Sequence, residues 1–130
     1  MATWQIIPGK LWQGDLFSLS NPDSVDVCVS CTLLSEMPAP FTFHAIYPFV
    51  DGPQLPDMLT LSRVVRGAAY WLRDGKKMLI NCNDGCNRSG LAIGMTMSIL
   101  GMQNILATIQ AVHPKALYNP VFAQYVAGLG

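Results

Sequence analysis

Met78-Leu79-Ile80-Asn81-Cys82-Asn83-Asp84-Gly85-Cys86-Asn87-Arg88-Ser89-Gly90 is the stretch on which the reading of this chain turns. Met78 to Ile80 is a short, continuous apolar run after Lys76-Lys77, the pattern of a strand buried on both faces of a sheet. A helical pattern starts near Ser89 and runs to Leu100. Between them lies a polar loop with Gly85 at its middle. A strand, a glycine-containing loop and a helix in that order aim backbone N–H groups and a helix N-terminus at one point, which is how proteins hold phosphate.

The residue types in the loop fit one chemistry. Cys82 and Arg88 are separated by five residues in the order C-x-x-G-x-x-R-S. A thiol attacks as thiolate, and a helix N-terminus and a nearby cation both favour that form. A loop of this length curls so that its amides converge on phosphate oxygens, while the planar guanidinium of Arg88 takes two of them side by side, which a lysine cannot do. Gly85 permits positive φ or close backbone approach, and the Ser89 hydroxyl is placed to hydrogen-bond the sulfur as it leaves. A phosphoenzyme route also needs a proton donor for the leaving oxygen that later serves as base towards water. Asp51, on the Asp51-Gly52-Pro53 turn, is the first candidate. Asp57 is the second, although its place after Pro56 already reads as a helix cap.

Outward from this stretch, Trp4 to Ile7 and Leu11 to Gln13 flank Pro8-Gly9 as an opening hairpin, and Val25 to Cys31 and Phe43 to Val50 read as strands. Leu61, Val64, Val65, Ala68, Ala69 and Leu72 share one helical face from Asp57 until Asp74-Gly75 stops it. Asn104 to Val112 and Asn119 to Ala127 are further helices. The fold expected is α/β: one domain over residues 1–130, with a mainly parallel central sheet of about five strands and helices on both faces. The phosphate-binding loop lies between the last core strand and a helix.

Composition narrows the function classes. Hydrophobic residues make up 51% of the 130 and charged residues 12%, against about a quarter charged in an ordinary domain, so most of the chain faces a core. Eight basic residues balance eight acidic ones, leaving no sequence-wide field for nucleic acid or anionic lipid. The start Met1-Ala2-Thr3-Trp4-Gln5 is no secretory signal, and the expected location is cytoplasmic. Ser89 to Val112 carries no charge, but Gly101 and Asn104 divide it into two buried helices rather than one membrane span. Cys28 and Cys31 form a C-x-x-C with no helix start behind it and read as buried strand thiols. His44 and His113 have no ligand-like spacing, so no metal and no cofactor is expected.

With these motifs in place the chain resembles a compact dual-specificity phosphatase of the cysteine-based protein tyrosine phosphatase superfamily. Ile7-Pro8-Gly9-Lys10-Leu11-Trp12-Gln13-Gly14 resembles that family's opening hairpin, Pro48-Phe49-Val50-Asp51 its general-acid loop, and Asn119-Pro120-Val121-Phe122-Ala123-Gln124-Tyr125 its final helix. The resemblance implies Cys82 as nucleophile, Arg88 as phosphate ligand, Ser89 as thiolate helper and Asp51 as general acid, with Asn83, Asp84, Gly85, Cys86, Asn87 and Arg88 as the phosphate-binding stretch. It implies a monomer acting on phosphotyrosine, and on phosphoserine or phosphothreonine, in a protein or peptide, with no nucleic-acid or membrane partner. One departure stands out: the family has His before the nucleophile and this chain has Asn81. That opens the alternative of a phosphate-binding pseudophosphatase. A phosphoinositide or an RNA 5′-phosphate is the alternative substrate, against which stands a loop with no Lys or extra Arg. Asp84 is expected solvated at the rim and Cys86 in the pocket wall, with a Cys82–Cys86 disulfide under oxidation as the other reading of Cys86. Substrate choice falls to the loops near residues 33–41, 52–55 and 115–118.

Overall fold

The computed structural model describes residues 3–21, 23–34 and 41–130. Five strands, β1 (Thr3–Ile7), β2 (Leu11–Gly14), β3 (Val27–Ser30), β4 (Phe43–Ile46) and β5 (Met78–Asn81), form one sheet in the order β1-β2-β5-β3-β4. The β1–β2 hairpin is antiparallel, and every other pairing is parallel. Met78 to Asn81 is buried throughout, as a strand covered on both faces requires. The register puts Gly14, Asn81, Ser30 and Ile46 in one row, so the carboxyl ends of four strands open on the same edge. In open α/β sheets that edge is where ligands bind.

Alternation along the strands divides the core in two. Leu11, Val27, Val29, Met78 and Ile80 face the four helices α1 (Met58–Arg73), α2 (Arg88–Ile99), α3 (Ile105–Val112) and α4 (Pro120–Ala127), which all contribute to that one cluster. Trp12, Cys28 and Leu79 face the other way, onto Val25, Leu19 and Phe41. The helices expected on both faces are therefore unequal. Among the described residues the four α-helices share one face, and the other carries a short 3-10 helix, Leu16–Ser20.

Helix α1 follows its sequence pattern. Leu61, Val65, Ala68, Ala69 and Leu72 are buried, and the Asp57 carboxylate caps the helix by accepting from the N–H groups of Leu59 and Thr60. The uncharged Ser89–Val112 span resolves into α2 and α3, and no helix of the described residues is long and apolar enough to cross a membrane. The strand expected over Phe43 to Val50 stops at Ile46. Its last ladder bond runs from Tyr47 N–H to the Ser30 carbonyl (2.8 Å), level with the end of its partner β3, and Pro48 follows on the open edge. Asp51 is thus set by a loop rather than by a strand end. Of the loop expected to choose substrate near residues 33–41, positions 35–40 lie outside the described residues.

Candidate active site

The loop from Cys82 to Asn87 is clasped from outside by its carbonyls. Asn83 C=O accepts from Leu16 N–H (3.3 Å), and Gly85 C=O from His113 Nε2 (2.9 Å). Cys86 C=O accepts from Leu117 N–H (3.1 Å) and Gln13 Nε2 (3.2 Å), and Asn87 C=O from Leu91 N–H (2.9 Å). In a trans peptide the N–H points opposite its C=O. Carbonyls turned out to these partners therefore turn the following amides, those of Asp84, Cys86, Asn87 and Arg88, towards the inside of the loop. Gly85 makes the bend possible with φ of 75°, and a Cβ there would lie 2.9 Å from the Gly14 carbonyl carbon. The sequence-based reading of Gly85 allowed either positive φ or close approach, and the structure uses both.

Cys82 follows β5 directly and is fully buried, with Sγ 3.3 Å from Ser89 Oγ. Helix α2 begins at Arg88 with Asn87 as its N-cap residue, yet Asn87 makes no side-chain cap bond. Its amide is used elsewhere: Nδ2 donates to Asp51 Oδ2 (2.9 Å), and Oδ1 accepts from Asn119 N–H (2.8 Å). The first N–H groups of α2 thus remain available beside the sulfur. Arg88 donates from Nη1 to Thr32 Oγ1 (3.3 Å), while its Nε is buried without a partner. A guanidinium held on one side with a free N–H inside has half of its fork left for an oxyanion.

Asp51 is brought to this loop by two asparagines. Besides Asn87, Asn119 Nδ2 donates to Asp51 Oδ1 (2.8 Å) and to the Gly52 carbonyl (2.9 Å). Asp51, Gly52, Asn87, Tyr118 and Asn119 line a recess of about 450 Å3, and Thr32, Leu33, Val50 and Arg88 line another of about 260 Å3. Asp57, the second candidate acid, has its carboxylate engaged as the α1 cap. Hydrogen bonds from the Thr60 side chain and backbone hold its pKa below the ordinary value.

Asp84 is exposed at the rim, as its place in the loop implies, and adds one bond that the sequence did not suggest. Its Oδ1 turns inward, accepting from Cys86 N–H (3.1 Å) at 3.8 Å from Cys82 Sγ. Tyr118 O–H donates to Oδ2 (3.0 Å), and that bond raises the phenol's pKa. The Cys86 thiol donates to the Asp84 carbonyl (3.6 Å), its sulfur lies 3.7 Å from the His113 Nε2–H that holds Gly85, and burial pushes its pKa up to about 11. Cys28 is pushed up to about 12 and Cys31 well above its usual range, again by burial first, as strand thiols without a reactive setting should be.

Asn81, in the family's histidine position, is bonded at both ends of its amide. Oδ1 accepts from Ser30 Oγ (2.6 Å) and Nδ2 donates to the Asp15 carbonyl (3.2 Å), tying β5 to β3 and to the segment after β2. Ser30 has one hydrogen, so His44 Nε2 at 2.8 Å from Ser30 Oγ is the donor of that pair.

Sequence reasoning missed Gln13, Thr32, Asn119 and His113 as parts of the site. Gln13 donates from Nε2 to Ser89 Oγ (2.9 Å), and His113 stacks on Trp4 with ring centroids 3.5 Å apart while holding Gly85. The one available signal was a glutamine inside the buried run Leu11–Gly14.

No family model matches the chain. It is 27% identical over 134 residues to dual specificity protein phosphatase 15 of Rattus norvegicus, a match covering 97% of this chain and 56% of that protein. The chain thus spans about half the length of the curated relatives it matches. Human DUSP28 has the same fold, with a TM-score of 0.82 at 19% identity over 98% of this chain and 91% of that one. PTPMT1, solved in complex with PI(5)P, gives a TM-score of 0.72 at 12% identity, over 92% of this chain and 89% of its own.

Proposed function

We propose that this chain, which belongs by sequence likeness and fold with the compact dual-specificity phosphatases, hydrolyses phosphomonoesters through a cysteinyl-phosphate intermediate. Its substrate class is phosphotyrosine in proteins or peptides, with phosphoserine and phosphothreonine second. The Cys82 thiolate attacks phosphorus, the ester P–O bond breaks, and Asp51 gives its proton to the leaving oxygen. Water then attacks the phosphocysteine, Asp51 takes the water's proton, and the S–P bond breaks to return the thiolate and free phosphate. Ser89 donates to the sulfur as it leaves, and Arg88 with the loop amides holds the phosphoryl oxygens.

The observation that supports this most is the loop's outward carbonyls, which turn its amides inward on the loop that begins at the buried Cys82, together with the buried, unpartnered Nε–H of Arg88 at the loop's far end. The pocket mouth favours an aromatic phosphate. Leu33 and Val50 are exposed on the recess that Arg88 lines and Tyr118 on the one that Asn87 and Asp51 line, apolar and aromatic surface that suits an aryl leaving group. A highly phosphorylated head group or RNA end would meet Asp84 there. A binding-only role, motivated by Asn81, is the second reading; the bonds from Asn81 to Ser30 and Asp15 supply the bracing that the histidine would give.

The test is phosphate release from an aryl phosphate, a phosphotyrosine peptide, a phosphoserine peptide and an inositol phospholipid, each against a Cys82→Ser control. Release from the aryl and phosphotyrosine substrates is expected. Release from the lipid alone would replace the proposed substrate class, and tight phosphopeptide binding with no release above the control would favour the binding role.

A further inference from the structure

Gln13 is fully buried in β2, a strand otherwise built of Leu11, Trp12 and Gly14. Both hydrogens of its amide are used, one on the Cys86 carbonyl and one on Ser89 Oγ. The Cys86 carbonyl fixes the orientation, because a flipped amide would set oxygen against oxygen. The consequence is that Gln13 Oε1 is buried without a partner, a cost that an apolar residue of the same size would avoid. Such an orphan calls for an explanation beyond packing.

The Ser89 hydroxyl supplies one. A serine in the first turn of a helix ordinarily turns its hydrogen back to a carbonyl three or four residues earlier. Here those carbonyls are Cys86, held by Gln13 and Leu117, and Gly85, held by His113. Gln13 also fills one lone pair of Ser89 Oγ, and the Cys82 thiol, 3.3 Å away, donates to the same oxygen; once that thiol has lost its proton, the Ser89 hydrogen is left to turn to the sulfur. We propose that Gln13 is a positioning residue for the thiolate: it orients the Ser89 hydroxyl so that this group donates to sulfur, during attack and again when the S–P bond breaks. The proposal rests on the phosphatase reading of the site and adds to it a residue in another strand, reached through Ser89.

Two variants separate this from a purely structural role. Gln13→Met keeps the volume and removes both donors, while Cys86 C=O retains Leu117 N–H. Gln13→Glu keeps the shape but presents acceptors, which draw the Ser89 hydrogen away from sulfur. Each is made alone and with Ser89→Ala, and read by thermal melting, by kcat and KM on an aryl phosphate, and by the pH dependence of Cys82 alkylation by iodoacetamide. Gln13→Met is expected to melt no lower than the unaltered protein, since the orphan oxygen is gone, while kcat falls about fivefold, the worth of one neutral hydrogen bond, with KM little changed. Gln13→Glu is expected to lower kcat further and move the alkylation profile to higher pH. In the Ser89→Ala background neither change should add to the loss. Equal losses of kcat with and without Ser89, or unchanged kcat in Gln13→Met, would overturn the proposal. If the unaltered protein shows no turnover above Cys82→Ser, the phosphatase reading fails. The alkylation profile still decides the role of Gln13, because an unshifted profile in Gln13→Met and Gln13→Glu refutes it.

Discussion

Replacing Asn119 should separate two jobs held by one side chain. Its Oδ1 accepts from the N–H groups of Val121 (3.0 Å) and Phe122 (3.4 Å), capping α4 ahead of Pro120. Its Nδ2 donates to Asp51 Oδ1 and to the Gly52 carbonyl. Asn119→Ala removes both functions, and Asn119→Ser keeps a capping oxygen but has nothing to reach Asp51. Loss of a cap costs about 1 kcal/mol, which for a domain of this length is a fall of roughly 3–5 °C in Tm. The serine variant should melt close to the unaltered protein. Turnover should divide differently. With Asn119 gone, Asp51 keeps only the Asn87 amide, and general acids contribute about 10²–10⁴-fold when well placed. Losing one of the two amides that hold Asp51 should forfeit part of that factor, so kcat on a phosphoserine peptide should fall on the order of tenfold in both variants. An aryl phosphate with a nitro-substituted leaving group needs no proton and should be nearly unaffected. The assay is thermal melting beside kcat on the two substrates. If the serine variant melts as low as the alanine variant and turns over both substrates normally, Asn119 is only a cap and Asp51 is not held by it.

Asp84 sets its carboxylate inside the loop at 3.8 Å from the Cys82 sulfur, where an entering phosphate dianion meets like charge. Asp84→Asn should lower the inhibition constant for inorganic phosphate, and KM for an aryl phosphate, by on the order of fivefold; an unchanged inhibition constant would mean that the side chain has already swung clear. Gly85→Ala combines φ of 75° with a Cβ 2.9 Å from the Gly14 carbonyl carbon, so the loop must open. Loss of phosphate binding together with a Tm several degrees lower is expected, from about 1–2 kcal/mol of backbone strain before the clash is counted, and retained phosphate binding would contradict it. His44 and His113 both have pKa values lowered from 6.5 by burial. The folded state therefore prefers them neutral, and the unfolded chain takes up protons first as pH falls. The stability they confer is present above about pH 6.5 and drains away below it. Melting curves should shift down between neutral and mildly acid buffer, less so in His44→Gln, and equal shifts in the two proteins would remove His44 from the account.

Local patterns carried much of the reading, and their physics explains why. The α1 face and its Asp57 cap, the β1–β2 hairpin and the buried β5 all depend on residues within a few positions of each other. Where such patterns failed, a long-range cause was at work. The strand that the apolar run Phe43 to Val50 proposed ends at Ile46, opposite Ser30, where its partner β3 ends. The pattern of alternating elements did not say that α1 to α4 would share a face, because that depends on which connections are long enough to cross the sheet. Asp84 reads as a surface charge from its loop position and is exposed, but that its carboxylate also accepts from Cys86 N–H is visible only in the structure.

The spacing of Cys82, Gly85, Arg88 and Ser89 was determined by the sequence alone, since a six-residue loop between a strand and a helix N-terminus has few ways to curl. What surrounds that loop was decided by tertiary structure. Gln13 meets Ser89 across a separation of 76 residues, and Asp51 meets Asn87 across 36 and Asn119 across 68. Those meetings exist because β5 inserts between β2 and β3 and sets three carboxyl ends side by side. No local periodicity encodes which distant residues such a strand order brings within hydrogen-bond reach.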